Sequence, residues 1–202
     1  MGPRRNLVDM TDMVQFARTR LQPIPDLTES PAYRCSAFLT DGTYLPCVLI
    51  ASADAYAQLA LRRFDETRKD ARLPRLLGGK RRFGPGMGYP DIVRTFTTSG
   101  NRVNHYDIER LDESPFAISA ERLSEIRGET SMGWTQFTVE MSDGSQHFFG
   151  TTWINEFFHM PEGYAAKDIV KIHPHPMLAP MPEGTIYRER PFFTCYIDGL
   201  EA

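Results

Sequence analysis

Arg72, Arg75, Lys80, Arg81 and Arg82 stand within "RLPRLLGGKRRFGPGMGYP", residues 72–90, among five glycines and three prolines and without one acid. Cations spaced along a glycine-rich segment can grip phosphates or carboxylates, and a ring such as Phe83 or Tyr89 beside them can stack on a base. The preceding residues partly neutralise themselves, with Asp65 four before Lys69 and Arg62 four before Glu66. The cations left over are Arg68, Arg72, Arg75, Lys80, Arg81 and Arg82, and with Phe83 they form the expected anion-binding set. The segment lacks the Gly-Lys-Ser/Thr ending of a P-loop. Gly84-x-Gly86-x-Gly88 also has the wrong spacing for a dinucleotide fingerprint. The expected partner is therefore an anionic macromolecule, either nucleic acid or an acidic protein; the plainer reading is an exposed loop.

His105, Asp107 and Glu109 alternate in "HYDIER". On a strand spanning 103–109 they would share one face, where an imidazole between carboxylates can bind a divalent metal or relay a proton. That makes a small metal-dependent or acid/base hydrolase the alternative function, against the plainer reading of a half-exposed strand. His173 and His175, in His-Pro-His-Pro, would share a face only in an extended strand, and alternating prolines favour polyproline II instead. No cofactor motif is present. Cys35, Cys47 and Cys195 have no metal-ligand spacing and read as reduced thiols.

The elements that position these groups follow from periodicity. Met10, Met13, Val14, Ala17 and Leu21 predict a helix over 10–21, capped by Asp9 or Thr11. "YRCSAFLTDGTYLPCVLIA" predicts two strands about a type I′ turn at Asp41-Gly42. Opposed positions then sum to 83, which sets Cys35 against Val48 and Cys47 against Ser36, on opposite faces. Ser52 predicts the cap of a helix whose buried stripe is Tyr56, Leu59, Ala60 and Phe64. Two further strands are expected about Ser99-Gly100-Asn101. Ser119 predicts the cap of a short helix ended by Gly128 and stapled by Ile118 and Leu123.

A second hairpin is expected about Asp143-Gly144 with opposed positions summing to 287. Trp134 would then face Trp153 and Glu140 would face His147, with Phe137, Val139 and Phe148 on the other side. The two tryptophans, flanked by Thr151 and Phe149, would make a platform or a second core layer. Short strands are expected over 168–172 and 185–197. At a fixed offset of 102, Arg20-Leu21, Ile24, Thr28 and Asp41-Gly42 match Arg122-Leu123, Ile126, Thr130 and Asp143-Gly144. The reading is one α+β domain over 1–202, mostly antiparallel sheet built from hairpins with two or three helices. A duplicated helix–hairpin unit would give pseudo-repeat halves 1–98 and 103–202.

The 202 residues carry a net charge of −3, and it is unevenly placed. Between Arg62 and Arg82 nine bases meet three acids, whereas from Asp112 onward fourteen acids meet six bases. A dipolar protein of this kind attracts anions at one region only. There is no membrane-length apolar run, and "MGPRRNLVDMTDM" predicts neither a secretory leader nor a myristoylation site, so a cytoplasmic protein is expected. The leading function is a non-enzymatic binding or regulatory protein acting through 62–89. A third reading is a homo-oligomeric assembly subunit packing through its proline-rich tail.

Overall fold

Two Asp-Gly turns organise the chain. The computed structural model describes residues 9–25, 30–72, 101–152 and 156–200. In chain order these form α1 (Met10–Arg20), β1 (Pro23–Pro25), β2 (Pro31–Leu39), β3 (Tyr44–Ser52), α2 (Ala53–Arg72), β4 (Ile108–Glu113), α3 (Ala120–Leu123), β5 (Thr135–Met141), β6 (Gln146–Thr151), β7 (Ile169–Pro174), β8 (Ile186–Tyr187) and β9 (Phe193–Ile197). Short 3-10 turns at His105–Asp107 and Ala166–Asp168 lead into β4 and β7. The fold is α+β. Of the two strands expected about Ser99-Gly100-Asn101, the first lies outside the described residues and the second begins only at Ile108.

Both turns sit at hairpin tips, but neither is type I′. Leu39 N donates to Thr43 O at 2.8 Å and Met141 N donates to Ser145 O at 2.9 Å, so each loop holds three residues. Gly42 (φ +89°) and Gly144 (φ +86°) take the left-handed position. Leu178 is the one non-glycine with positive φ among the described residues, so Asp41 and Asp143 do not adopt the conformation a type I′ turn requires. These are loops closed by a glycine bulge. Each aspartate accepts from the amide two residues on, Thr43 N or Ser145 N, at 2.9 Å.

The extra loop residue moves the register. In the second hairpin opposed positions sum to 286, so Glu140 faces Gln146 and Val139 faces His147. A one-residue slip exchanges the faces of β6: Phe149 is buried in the core with Phe137 and Val139, while Phe148 turns away beside His175. In the first hairpin a bulge restores the expected sum. Between the pairs Cys35–Val48 and Ala37–Leu45, the single residue Ser36 opposes both Pro46 and Cys47. Pro46 has no amide to give the ladder, which is where such a bulge belongs.

The two sheets share one plan. The first runs β4-β2-β3-β9, with β1 alongside the start of β2; the second runs β7-β5-β6-β8. In each, the strand after a 3-10 turn pairs antiparallel with the first hairpin strand, and a late strand pairs parallel with the second. Even the irregularities agree. Phe38–Arg110 and Leu39–Ile108 bracket a register shift, as do Glu140–Lys171 and Met141–Ile169. Thr40 N donates to Asp107 O at 2.9 Å, and Ser142 N donates to Asp168 O at 2.8 Å. The sheets do not follow a division at 98–103, because β4 and β9 of the first sheet both come from later in the chain.

Three apolar clusters hold this together. One packs Met13 and Ala17 of α1 on Cys35, Val48, Ile50 and Ile197. The second gathers Ile118, Phe137, Phe149, Phe158 and Ile172. A third lies on the other face of the first sheet, where Ala32, Cys47 and Leu49 meet Phe157, Phe116 and Phe192. α1 is capped by Asp9 through Thr11 N (3.5 Å) and α3 by Ser119 through Arg122 N (3.2 Å). Ile118 and Leu123 pack together as the expected staple.

Candidate functional site

The basic region begins on α2. Ser52 Oγ accepts from Ala55 N (3.0 Å) and starts the helix, and Tyr56 and Leu59 bury it, Tyr56 lying edge-on to Tyr196 at 4.9 Å. The expected stripe stops there. Ala60 is half-buried and Phe64 is 41% exposed, as is Leu61 at 57%. Arg62, Asp65, Glu66 and Arg68 are exposed. Arg63 rather than Arg62 pairs with Glu66, at 3.0 Å, and the Arg68 guanidinium lies 5.9 Å from the Phe64 ring centre. The side chains of Lys69 and Arg72, and all of Arg75, Lys80, Arg81, Arg82 and Phe83, lie outside the described residues.

His105, Asp107 and Glu109 do not line one face of a strand. His105–Asp107 is a 3-10 turn, and the strand starts only at Ile108. The cause is local: Asp107 N donates to Asn104 O (3.0 Å) while the Asp107 carboxylate accepts from Asn104 Nδ2 (3.1 Å), which winds the backbone. His105 stacks edge-on with Tyr106, their centres 5.4 Å apart. His173 lies in the extended strand β7 rather than in polyproline II, with Nε2 2.9 Å from Glu140. His175 Nε2 lies 2.8 Å from Thr138 Oγ1, and burial lowers its pKa. Among the described residues, no three of His, Cys, Asp and Glu converge as a metal site.

The tryptophan platform is also revised. Trp134 packs across Gly150, where an added Cβ would stand 2.1 Å from the indole, and Arg188 lies 4.8 Å from its ring centre. Trp153 lies outside the described residues. The three thiols are free and buried, Cys35 and Cys47 in separate clusters on opposite faces as the spacing requires. Burial raises Cys47 to about 11 and Cys195 to about 12, so neither is a nucleophile near neutrality.

What the sequence pattern did not flag is Arg34. Ala32, Arg34 and Ser36 alternate on the β2 face that meets Phe157, and Arg34 is only 5% exposed. Its Nη1 donates to the Glu156 carbonyl at 3.2 Å, and its Nε has no acceptor. Burial lowers its pKa to about 10 against the attraction of Glu156, so the guanidinium is charged at neutral pH. A cleft of about 280 Å³ opens beside it. Arg20, Leu21 and Gln22 from the end of α1, Glu113 and Ser114 from the end of β4, and Ala166, Lys167 and Ile169 at the start of β7 line it. One signal was available: an arginine amid the small side chains of a strand-length apolar run.

No family model, curated protein or solved structure matches this chain. No helix among the described residues is long and apolar enough to cross a membrane.

Proposed function

We propose that the protein is a non-enzymatic binding or regulatory protein that meets an anionic partner, nucleic acid or acidic protein, through α2 and the basic segment after it, residues 62–89. The outer half of α2 supports this reading. From Leu61 to Glu66, and at Arg68, no side chain is fully buried, so arginines and two apolar residues face outward beyond the buried Tyr56 and Leu59. Such a mixed surface suits a partner that brings negative charge and some apolar area.

The test is a titration of the full chain against single- and double-stranded nucleic acid and against poly-glutamate, each at two salt concentrations. Replacing Arg68, Arg72, Arg75, Lys80, Arg81 and Arg82 with glutamine should weaken binding while leaving thermal stability within about 0.5 kcal/mol. On duplex DNA the log–log salt slope should approach about −0.9 per phosphate contact. Absence of binding to every polyanion at the lower salt would overturn the reading.

A second reading, self-assembly through the proline-rich tail, has its own observation. Met177, Leu178 and Met181 are 75%, 82% and 60% exposed. Sedimentation that stays monomeric from micromolar to millimolar concentration would exclude it.

A further inference from the structure

We propose that the cleft between α1, the end of β4 and the start of β7 binds a small oxyanion, a carboxylate or a phosphate, held by Arg34 from below and by Arg20 and Lys167 at the mouth. This site is separate from α2 and does not depend on the reading above.

The first argument is the cost of Arg34. A buried guanidinium is stable only when its charge and its N–H groups are answered. Here one carbonyl accepts from Nη1 and Nε meets nothing, and the Glu156 carboxylate attracts the guanidinium without forming an ion pair with it among the described residues. An oxyanion in the adjoining cleft supplies what is missing, and the planar guanidinium suits a carboxylate or phosphate oxygen pair.

The lining supplies the second argument. Three cations, Arg20, Arg34 and Lys167, face a single acid, Glu113. Arg20 and Lys167 are exposed and form no ion pair among the described residues. Two neutral donors complete the set. Gln22 spends its oxygen on Ala120 N at 3.0 Å, which leaves its NH₂ group, and Ser119 Oγ accepts from Arg122 N at 3.2 Å, which leaves its O–H. Ser114 contributes no proton, because its hydroxyl donates to Pro46 O at 2.6 Å. At about 280 Å³ the cleft falls at the lower edge of small-molecule sites, so its occupant is a small molecule rather than a polymer. Lining residues come from both sheet units, so a bound anion also bridges them.

The experiment is a ¹H–¹⁵N NMR titration of the full chain with inorganic phosphate, and separately with acetate, at constant ionic strength set by chloride. Saturable shifts of the amides of Glu113, Ser114, 116–119 and 166–169, with Kd below about 1 mM for at least one anion, are expected. The anion that saturates tells phosphate from carboxylate. R20Q and K167Q should each weaken binding at least about fivefold, E113Q should tighten it, and R127Q, an exposed control outside the cleft lining, should leave it unchanged. R34M should abolish binding. Should R34M fail to fold, the R20Q/K167Q double variant, which alters only exposed side chains, decides the matter. No saturation by either anion, or an unchanged Kd in the double variant, overturns the proposal.

Discussion

The two sheet units agree in backbone and differ in what fills matching positions. At the offset of 102, Cys35 corresponds to Phe137, Arg34 to Gln136 and Leu45 to His147; at the offset of 61 that relates β4 to β7, Val103 corresponds to Tyr164. Strand order, 3-10 turns and register shifts are common to both. The side chains diverge in two places. Leu45 and Val103 belong to the first apolar cluster, whereas His147 and Tyr164 join a polar network at the second tip. There Ser145 Oγ lies 3.2 Å from His147 Nε2 and 3.1 Å from Tyr164 OH, which donates to Asp143 at 2.6 Å. On the other face of β2 and β5, Arg34 lines a cleft, while Gln136 Nε2 ties down the carbonyls of Ala179 and Pro180, both at 3.2 Å. The two units hold one backbone plan in common and carry different chemistry on it.

The comparison can be broken most forcefully at the core. Cys35 and Phe137 are both fully buried at equivalent positions. Phe137→Ala should cost about 3–5 kcal/mol by urea unfolding, and Cys35→Ala should cost less, because fewer atoms leave the core. Equal losses would mean the two clusters do not pack independently.

A smaller effect is expected at Gly150, whose counterpart is Leu49 once the extra residue of the β3 bulge is counted. The indole of Trp134 occupies the space of a side chain there, so Gly150→Ala should destabilise by about 1–3 kcal/mol. Leu49→Ala, in a position built for a side chain, should behave as an ordinary large-to-small loss. A neutral Gly150→Ala would show that Trp134 is free to move.

The mildest test sharpens the difference between the tips by pH. Asp143 is held at about 2 by the Tyr164 hydroxyl and the Ser145 amide; Asp41, with Thr43 alone, is also lowered from 3.8. Both are depressed carboxylates, so their contacts are fully formed above about 4 and are lost as pH falls through the folded values. Carboxyl NMR titration of Tyr164→Phe should raise Asp143 and leave Asp41 unchanged. An unmoved Asp143 would remove Tyr164 from the account.

Much of this architecture was legible in sequence because local rules decided it. Asp9, Ser52 and Ser119 cap the helices they were expected to cap, and the Asp-Gly pairs mark both tips. What local rules could not decide was loop length, since Asp-Gly serves two-residue and three-residue loops alike. That single residue exchanged the faces of β6 and undid the pairing of Glu140 with His147. Pro46 concealed the same error in the first hairpin by adding a compensating bulge. The strand expected over 103–109 failed because Asn104 and Asp107 bond to one another more readily than they extend. The cleft at Arg34 was illegible for a different reason: its lining comes from segments more than a hundred residues apart, and only topology brings them together. The readings at 75–83 lie outside the described residues.

β9 is the last strand among the described residues, yet it completes the first sheet beside β3. On a ribosome the chain emerges in order, so β2 and β3 wait unclosed along that edge while the entire second sheet, ending at Tyr187, is made. The first unit can therefore close only after β9 has been made, with its hairpin edge open to wrong pairing in the interval. Removal of β9 would leave β5 to β8 of the second sheet in place and take the closing strand from the first, so a loss late in the sequence is felt by the unit that was synthesised earlier.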